Sequence, residues 1–357
     1  MRIAVVVERP PPHADRAGAA RLRRFATEFA DRDHDVTVYC AGWWDDRSRR
    51  ISRDGVVYEA ATVAPATPSF LARVPWLLAR DRPDAVVASP SPPETVVAAA
   101  VGGAVARAPV VCDWFGDEPA DDPRRWTAAA RAATRVVAPS ELHRTRVREL
   151  GVPDAATAVV PQGVDYPLVE ATPPRERDRD RGGPETVYAR RLDADANLES
   201  LLLALAELRG RDDWTATVVG DGPERGGYEA QAAELGIADR VRFVGDIDRE
   251  TRVATYRAAD VFVQTATREQ FPVELLWALA AGCVGVVEYQ ADSPAHELLD
   301  DHDRGVRVTE SEALDGAIES AWTEPHRDLA EPLRDYDHAA VAGDYLGLFR
   351  DCGVDVR

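Results

Sequence analysis

The chain has 357 residues, more than one hydrophobic core usually serves, so two domains of ordinary size are the natural reading. Its formal charge is −19, with 62 Asp and Glu against 43 basic residues that are all arginine. That balance argues against a general affinity for nucleic acid or anionic lipid, both of which need clustered cations to displace counterions.

Acid spread evenly along a chain without lysine reads as adaptation to a salt-rich cytoplasm, where screening weakens self-repulsion. No basic-then-apolar segment opens the sequence, and its longest small apolar run, 95–106, is too short to span a bilayer. The expected location is the cytoplasm, with peripheral attachment to a membrane left open. Cys40, Cys112, Cys283 and Cys352 are scattered singly, which implies neither a disulfide framework nor a zinc site.

In chain order, short β-branched runs alternate with helical periodicity, the signature of parallel βαβ units. Residues 3–7 read as a buried strand. A helix follows, carrying Leu22, Phe25, Ala26 and Phe29 on one face, and then strands at 36–40, 85–88, 109–112, 135–138 and 157–160. After Val169 the hydrophobic period stops in a stretch rich in Pro, Arg, Asp and Gly, which reads as a linker. The alternation restarts with strands at 186–189, 215–219, 241–244, 261–264 and 284–287, with a helix at 197–208 among them.

The expected division is an N-terminal domain at 1–166, a linker at 167–184 and a second domain at 185–330. A segment at 331–357 is expected to return to the first domain. Open parallel sheets bind ligands beyond the carboxyl ends of their strands, so two such domains are expected to share a ligand in a cleft between them.

Five segments carry more than periodicity. They are Pro161-Gln-Gly-Val-Asp165, Tyr188-Ala-Arg-Arg-Leu-Asp193 with Asn197 beyond it, Val218-Val-Gly-Asp-Gly-Pro-Glu224, Val241-Arg-Phe-Val-Gly245, and the run from Glu269-Gln-Phe-Pro-Val-Glu274 to Gly282. In this order they resemble the family 4 retaining glycosyltransferases, over nearly the whole chain. The fold this implies is α/β of the GT-B type, two doubly wound Rossmann-like domains facing across a cleft. The implied activity is transfer of a sugar from a nucleotide-diphosphate sugar to an unidentified glycan or lipid-linked acceptor, with retention of configuration. The nucleotide sugar is then a co-substrate, and neither a separate cofactor nor a metal is expected.

The resemblance assigns Arg191 to the donor phosphates and Glu269 to the donor sugar's hydroxyls, and makes these two the catalytic pair. A planar guanidinium suits bidentate contact with phosphate oxygens, and the leaving group's negative charge must meet cations and helix N-termini. Arg190, Asn197, Gly220, Asp221, Gly222, Phe271, Val273, Trp277 and Gly18 complete the expected donor-binding set. Asp193 and Asp195 could be read as a metal pair, but such spacing recurs throughout so acidic a chain. A dinucleotide-dehydrogenase reading is weakened because no GxGxxG follows the first strand.

Three departures fall on residues that the family uses. Ala196 stands where a phosphate-binding Lys is usual, Trp277 where a second Glu would bind the ribose, and Phe115 where many relatives have a His. Trp277 offers only a donor, so it could stack on a base or pack in a core. Trp43 and Trp44 could likewise form a sugar platform or pack at a lid. Two functions stay open: a transferase in which Arg190 compensates for the missing Lys, or a catalytically degenerate protein that binds sugars or nucleotides or partners an active transferase.

Overall fold

The computed structural model describes residues 1–356 apart from 12, 14, 15, 45–47, 117–121, 177–182, 212, 301, 326–328 and 330. It divides into two compact units, Met1–Gln162 with His338–Arg357, and Gly163–Asp337.

Among the described residues of the first unit, eight strands are interleaved with five helices. They run β1 (Arg2–Val6), α1 (Ala17–Ala30), β2 (Asp35–Ala41), β3 (Arg50–Arg53), β4 (Val56–Thr62), α2 (Thr67–Asp81), β5 (Ala85–Ala88), α3 (Glu94–Ala106), β6 (Val110–Asp113), α4 (Pro123–Ala132), β7 (Arg135–Ala138), α5 (Glu141–Glu149) and β8 (Thr157–Val159). The sheet order is β3-β4-β2-β1-β5-β6-β7-β8, parallel except for the β3–β4 pair.

Alternate residues of β1 enter opposite layers, which is why the strand reads as an unbroken apolar run. Ile3 and Val5 join Leu22 and Phe25 of α1, whereas Ala4 and Val6 join Phe70 and Val74 of α2. Arg21 and Asp113 form a fully buried ion pair at 3.1 Å, tying α1 to β6. Arg21 also donates to the carbonyls of Val160 and Pro161, both at 2.7 Å. Phe115 is buried beneath the same guanidinium. Trp43 and Trp44 meet edge to face and pack against the β2–β4 core, Trp43 lying 4.8 Å from Tyr58.

The second unit begins with α6 (Tyr166–Ala171) and continues through β9 (Glu185–Ala189), α7 (Leu198–Glu207), β10 (Thr215–Val219), α8 (Arg225–Glu234), β11 (Val241–Gly245), α9 (Arg249–Ala258), β12 (Val261–Gln264), α10 (Val273–Ala280), β13 (Val284–Glu288), α11 (Glu297–Asp300), β14 (Gly305–Val308) and α12 (Leu314–Ala321). All six strands are parallel, in the order β11-β10-β9-β12-β13-β14. The last helix, α13 (His338–Asp351), belongs to the first unit, where the Tyr345 ring lies tilted 4.8 Å from that of Phe25 and Phe349 packs on Phe29.

Two boundaries differ from expectation. The segment expected as linker opens as helix α6, capped by the Asp165 carboxylate on the Leu168 amide at 3.0 Å and anchored by buried Tyr166 and Val169. Two apolar residues at i, i+3 are too short a period to read in sequence. Residues 331–337, expected with the returning segment, stay in the second unit, where Asp337 bridges Val164 and accepts from the Tyr166 amide at 3.1 Å. Of the linker expectation, residues 177–182 lie outside the described residues.

Candidate functional site

The second sheet reverses its direction of growth between β9 and β12, so the chain leaves these neighbouring strands toward opposite sides and opens a crevice at their carboxyl ends. A cavity of about 380 Å³ lies there. Arg190 and Arg191 reach it from the end of β9, Gly220 and Asp221 from β10, Asp246 from β11 and Gln264 from β12. Glu269, Val273 and Glu274 close it from the loop and first turn leading into α10.

The two arginines are held in place from below. Gly220, at φ +119°, passes so close that an added Cβ would sit 2.0 Å from the Arg190 carbonyl oxygen, and one on Gly222 would sit 2.2 Å from that of Leu192. The Gly-Asp-Gly turn therefore uses its glycines to let the chain pass against the arginine loop. Amides of Arg190 and Leu192 donate to the carbonyls of Val219 and Asp221 at 3.1 and 3.0 Å, completing the brace.

The arginines then differ. Arg190 is largely buried, ion-paired with Glu269, and donates to the Arg268 carbonyl at 2.8 Å, while its Nε hydrogen has no partner among the described residues. Arg191 is exposed; its carbonyl accepts from the Asp193 amide at 3.1 Å, but its guanidinium makes no ion pair or hydrogen bond to any described residue and is available to a ligand. Glu269 also accepts from Gln264 Nε2 at 3.1 Å. Burial pushes the Glu269 carboxyl up, to about 7, against the pull of Arg190 and Gln264. A carboxylate that titrates near neutrality, beside a fixed cation and a free one, is an arrangement typical of functional sites.

The start of α10 adds backbone donors. Pro272, its N-cap residue, makes no side-chain cap, and Pro272, Val273 and Glu274 all border the cavity. The Val273 amide turns back to the Phe271 carbonyl at 2.8 Å, and the first-turn N–H groups that follow it favour an anion.

Of the expected donor-binding residues, Arg190, Arg191, Gly220, Asp221, Glu269 and Val273 line this cavity together. Asn197, Gly222, Phe271 and Trp277 are outside its lining. Asn197, at φ 50°, spends its amide on the Thr265 carbonyl at 2.9 Å and Glu288 at 3.1 Å, and accepts from Ser200, so it staples the loop after β12 to α7. Phe271 and Trp277 are buried, and Arg249 stacks 4.7 Å from the Trp277 ring. Gly18 lies in the first turn of α1, in the other unit. Ala196 is fully buried in the α7 core, so the cation absent there is not replaced from that backbone position.

Gln264, Asp246, Arg252 and Glu274 line the cavity without having been singled out in the sequence. Gln264 and Asp246 end or follow strands, and the strand-end rule would have found them. Arg252 and Glu274 form an ion pair between α9 and α10, a juxtaposition that only tertiary packing creates. Among the described residues, no group of three His, Cys, Asp or Glu could hold a metal, and no helix is long and apolar enough to cross a membrane.

Two doubly wound parallel sheets in series, with a polar cavity at a switch point, define an α/β fold of the GT-B type. Solved structures share it along almost the whole length. Sucrose-phosphate synthase from Thermosynechococcus elongatus matches with a TM-score of 0.74 at 19% identity, covering 100% of both chains. An Anabaena protein solved with UDP and glucose matches with a TM-score of 0.69 at 18% identity, over 98% of this chain and 100% of its own.

Residues 18–166 match the family described as Glycosyltransferase Family 4 and residues 172–338 match Glycosyl transferases group 1, so the chain carries both of these domains. Its relatives include glucosyl- and mannosyltransferases. It is 34% identical over 167 residues to the 2-deoxystreptamine glucosyltransferase of Streptomyces kanamyceticus, a match spanning 44% of this chain and 43% of that protein. It is 28% identical over 336 residues, 87% of this chain and 86% of the relative, to the GDP-mannose-dependent alpha-(1-6)-phosphatidylinositol monomannoside mannosyltransferase of Mycolicibacterium smegmatis.

Proposed function

We propose that the protein is a retaining glycosyltransferase whose nucleotide-diphosphate sugar donor occupies the cavity at the ends of β9 and β12. The observation that carries this reading is the free Arg191 guanidinium beside the Arg190–Glu269 pair and the uncapped start of α10. Arg191 and the α10 amides neutralise the diphosphate, whose charge grows as the glycosidic bond breaks. Arg190 supplies from its own position the second cation that Ala196 lacks. Glu269, oriented by Arg190 and Gln264, accepts hydrogen bonds from the sugar's hydroxyls and fixes the ring.

In the reaction the bond from the anomeric carbon to the phosphate oxygen breaks, and its electron pair leaves with the phosphate. The acceptor hydroxyl bonds to the same carbon on the same face, and its proton passes to the departing phosphate oxygen. No protein nucleophile is required, and configuration is retained. The relatives' names point to acceptors as different as 2-deoxystreptamine and phosphatidylinositol monomannoside. A hydroxyl-bearing acceptor, glycan or lipid-linked, is their common chemistry, and a lipid-linked one would bring the protein to a membrane surface.

Turnover of nucleotide-diphosphate sugars tests the proposal. Because the Glu269 carboxyl titrates at about 7 and its ionised form is the acceptor, kcat/KM of the wild-type protein should rise as pH passes through that value. Glu269→Gln should lower turnover about ten- to a hundredfold, the worth of hydrogen bonds to a charged group, and should flatten that rise while leaving nucleotide affinity nearly unchanged. Binding of the donor without transfer to any acceptor would favour the non-catalytic binder, the alternative that the burial of Ala196 and Trp277 keeps open.

A further inference from the structure

The cavity has a second carboxylate–guanidinium pair that the proposed chemistry leaves unused. Glu274, in the first turn of α10, pairs with Arg252 of α9, and its other oxygen accepts from the Tyr256 hydroxyl at 2.6 Å. Tyr256 is fully buried, so the carboxylate is locked in one orientation. Arg252 donates a further hydrogen bond to the Ile247 carbonyl at 3.3 Å, yet its Nε hydrogen is buried without a partner among the described residues.

Both side chains line the cavity, and each keeps less than a quarter of its surface exposed, at 20% and 16%. Pairs in such surroundings lose hydration that their mutual attraction only partly returns, so the acceptor lone pairs left on a carboxylate that lines a cavity suit a ligand with matching donors. A carboxylate with both oxygens fixed has one lone pair on each to offer, the complement of two adjacent hydroxyls.

We propose that Glu274, oriented by Arg252 and Tyr256, binds the vicinal hydroxyls of the donor's ribose and so sets the preference for ribonucleotides. The inference rests on the donor-site reading above. A nucleotide-diphosphate sugar has a hydroxyl-bearing ring on either side of its diphosphate, and the cavity has a carboxylate–guanidinium pair for each. Glu269 with Arg190 takes the transferred sugar, Arg191 the diphosphate, and Glu274 with Arg252 the ribose. Trp277, three residues further along α10, is buried outside the lining and carries no acceptor for a diol.

The test is calorimetric titration of the full chain with UDP and GDP and with their 2′-deoxy and 3′-deoxy counterparts. The wild-type protein should bind the ribonucleotides about ten- to a hundredfold more tightly than the deoxy forms, and Glu274→Gln should remove most of that ratio. A residue that merely fastened α9 to α10 would, when changed, weaken ribose and deoxyribose forms alike and leave the ratio intact. If Glu274→Gln fails to fold, Tyr256→Phe, which releases one carboxylate oxygen while keeping the ring, should lower the same ratio.

Equal wild-type affinity for ribose and deoxyribose forms would overturn the assignment, as would an unchanged ratio in the variant that folds. Absence of any wild-type nucleotide binding would instead overturn the donor-site reading, and the assignment with it.

Discussion

Trp277→Glu should destabilise the protein by about 3–5 kcal/mol and should not strengthen nucleotide binding. Every residue from Leu275 to Ala280 of α10 is buried, so beyond Glu274 this helix packs on all sides. Trp277 itself is 4% exposed. Glutamate there leaves much of the indole's volume empty and places a carboxylate in a buried position. Arg249, whose guanidinium lies 4.7 Å from the ring, is the nearest compensation, and it is an exposed side chain able to neutralise the charge only in part.

Trp277→Ala, which makes the cavity without the charge, should cost about 3–5 kcal/mol by itself. Denaturant melts of both variants check the expectation, together with a nucleotide titration. A glutamate variant that melts like the wild type and binds nucleotide more tightly would put position 277 at the ligand after all.

Arg190→Ala should show its effect through pH. The Glu269 carboxyl titrates at about 7 in the folded protein against an ordinary value of 4.5, so between these values the folded state holds more protons than the unfolded one. Stability from this group is therefore highest below about pH 4.5 and falls as pH rises toward 7, by roughly 3 kcal/mol over that window.

Arg190 limits that loss by favouring the ionised form. Without it, the carboxyl stays protonated to higher pH, and the fall in stability continues beyond 7. The variant should match the wild type closely at pH 5 to 6 and be less stable by about 2 kcal/mol at pH 8, below the 3–5 kcal/mol of a fully buried pair because both side chains keep some exposure. Donor affinity should drop about tenfold or more with the lost cation. Urea melts across this range, repeated with Glu269→Gln as a background in which the pH-dependent difference should vanish, provide the check.

The sequence was most legible where physics is local. Strands buried on both faces read as continuous apolar runs, and those at 85–88, 135–138, 215–219 and 261–264 have the bounds seen in the structure. Edges were harder. β3 is a four-residue, largely exposed hairpin arm, β4 contains Glu59, buried only because Arg50 and Arg80 pair with it, and β14 is half exposed, so none shows a clear apolar run.

At the site, the order of motifs marked Arg190, Arg191, Gly220, Asp221, Glu269 and Val273, which one cavity brings together. Motif matching alone could not tell ligand-facing residues from braces. Asn197 and Gly222 hold loops, and Phe271 and Trp277 fill a core, because neighbours absent from the motif decide where each side chain goes. The Arg252–Glu274 pair, set by the packing of α9 against α10, leaves no periodic trace in sequence.

Direct titration of the full chain with nucleotide-diphosphate sugars, wild type against Arg191→Ala, tests whether the cavity at the ends of β9 and β12 receives such a donor. Arg191 is exposed and unpaired among the described residues, so its removal should leave the fold intact. The wild-type protein should show one saturable site, and the variant an affinity about ten- to a hundredfold weaker, the worth of a charge-assisted phosphate contact of about 1.5–3 kcal/mol. Failure of the wild-type protein to bind any of these donors, or equal affinity in both proteins, would contradict that placement of the donor.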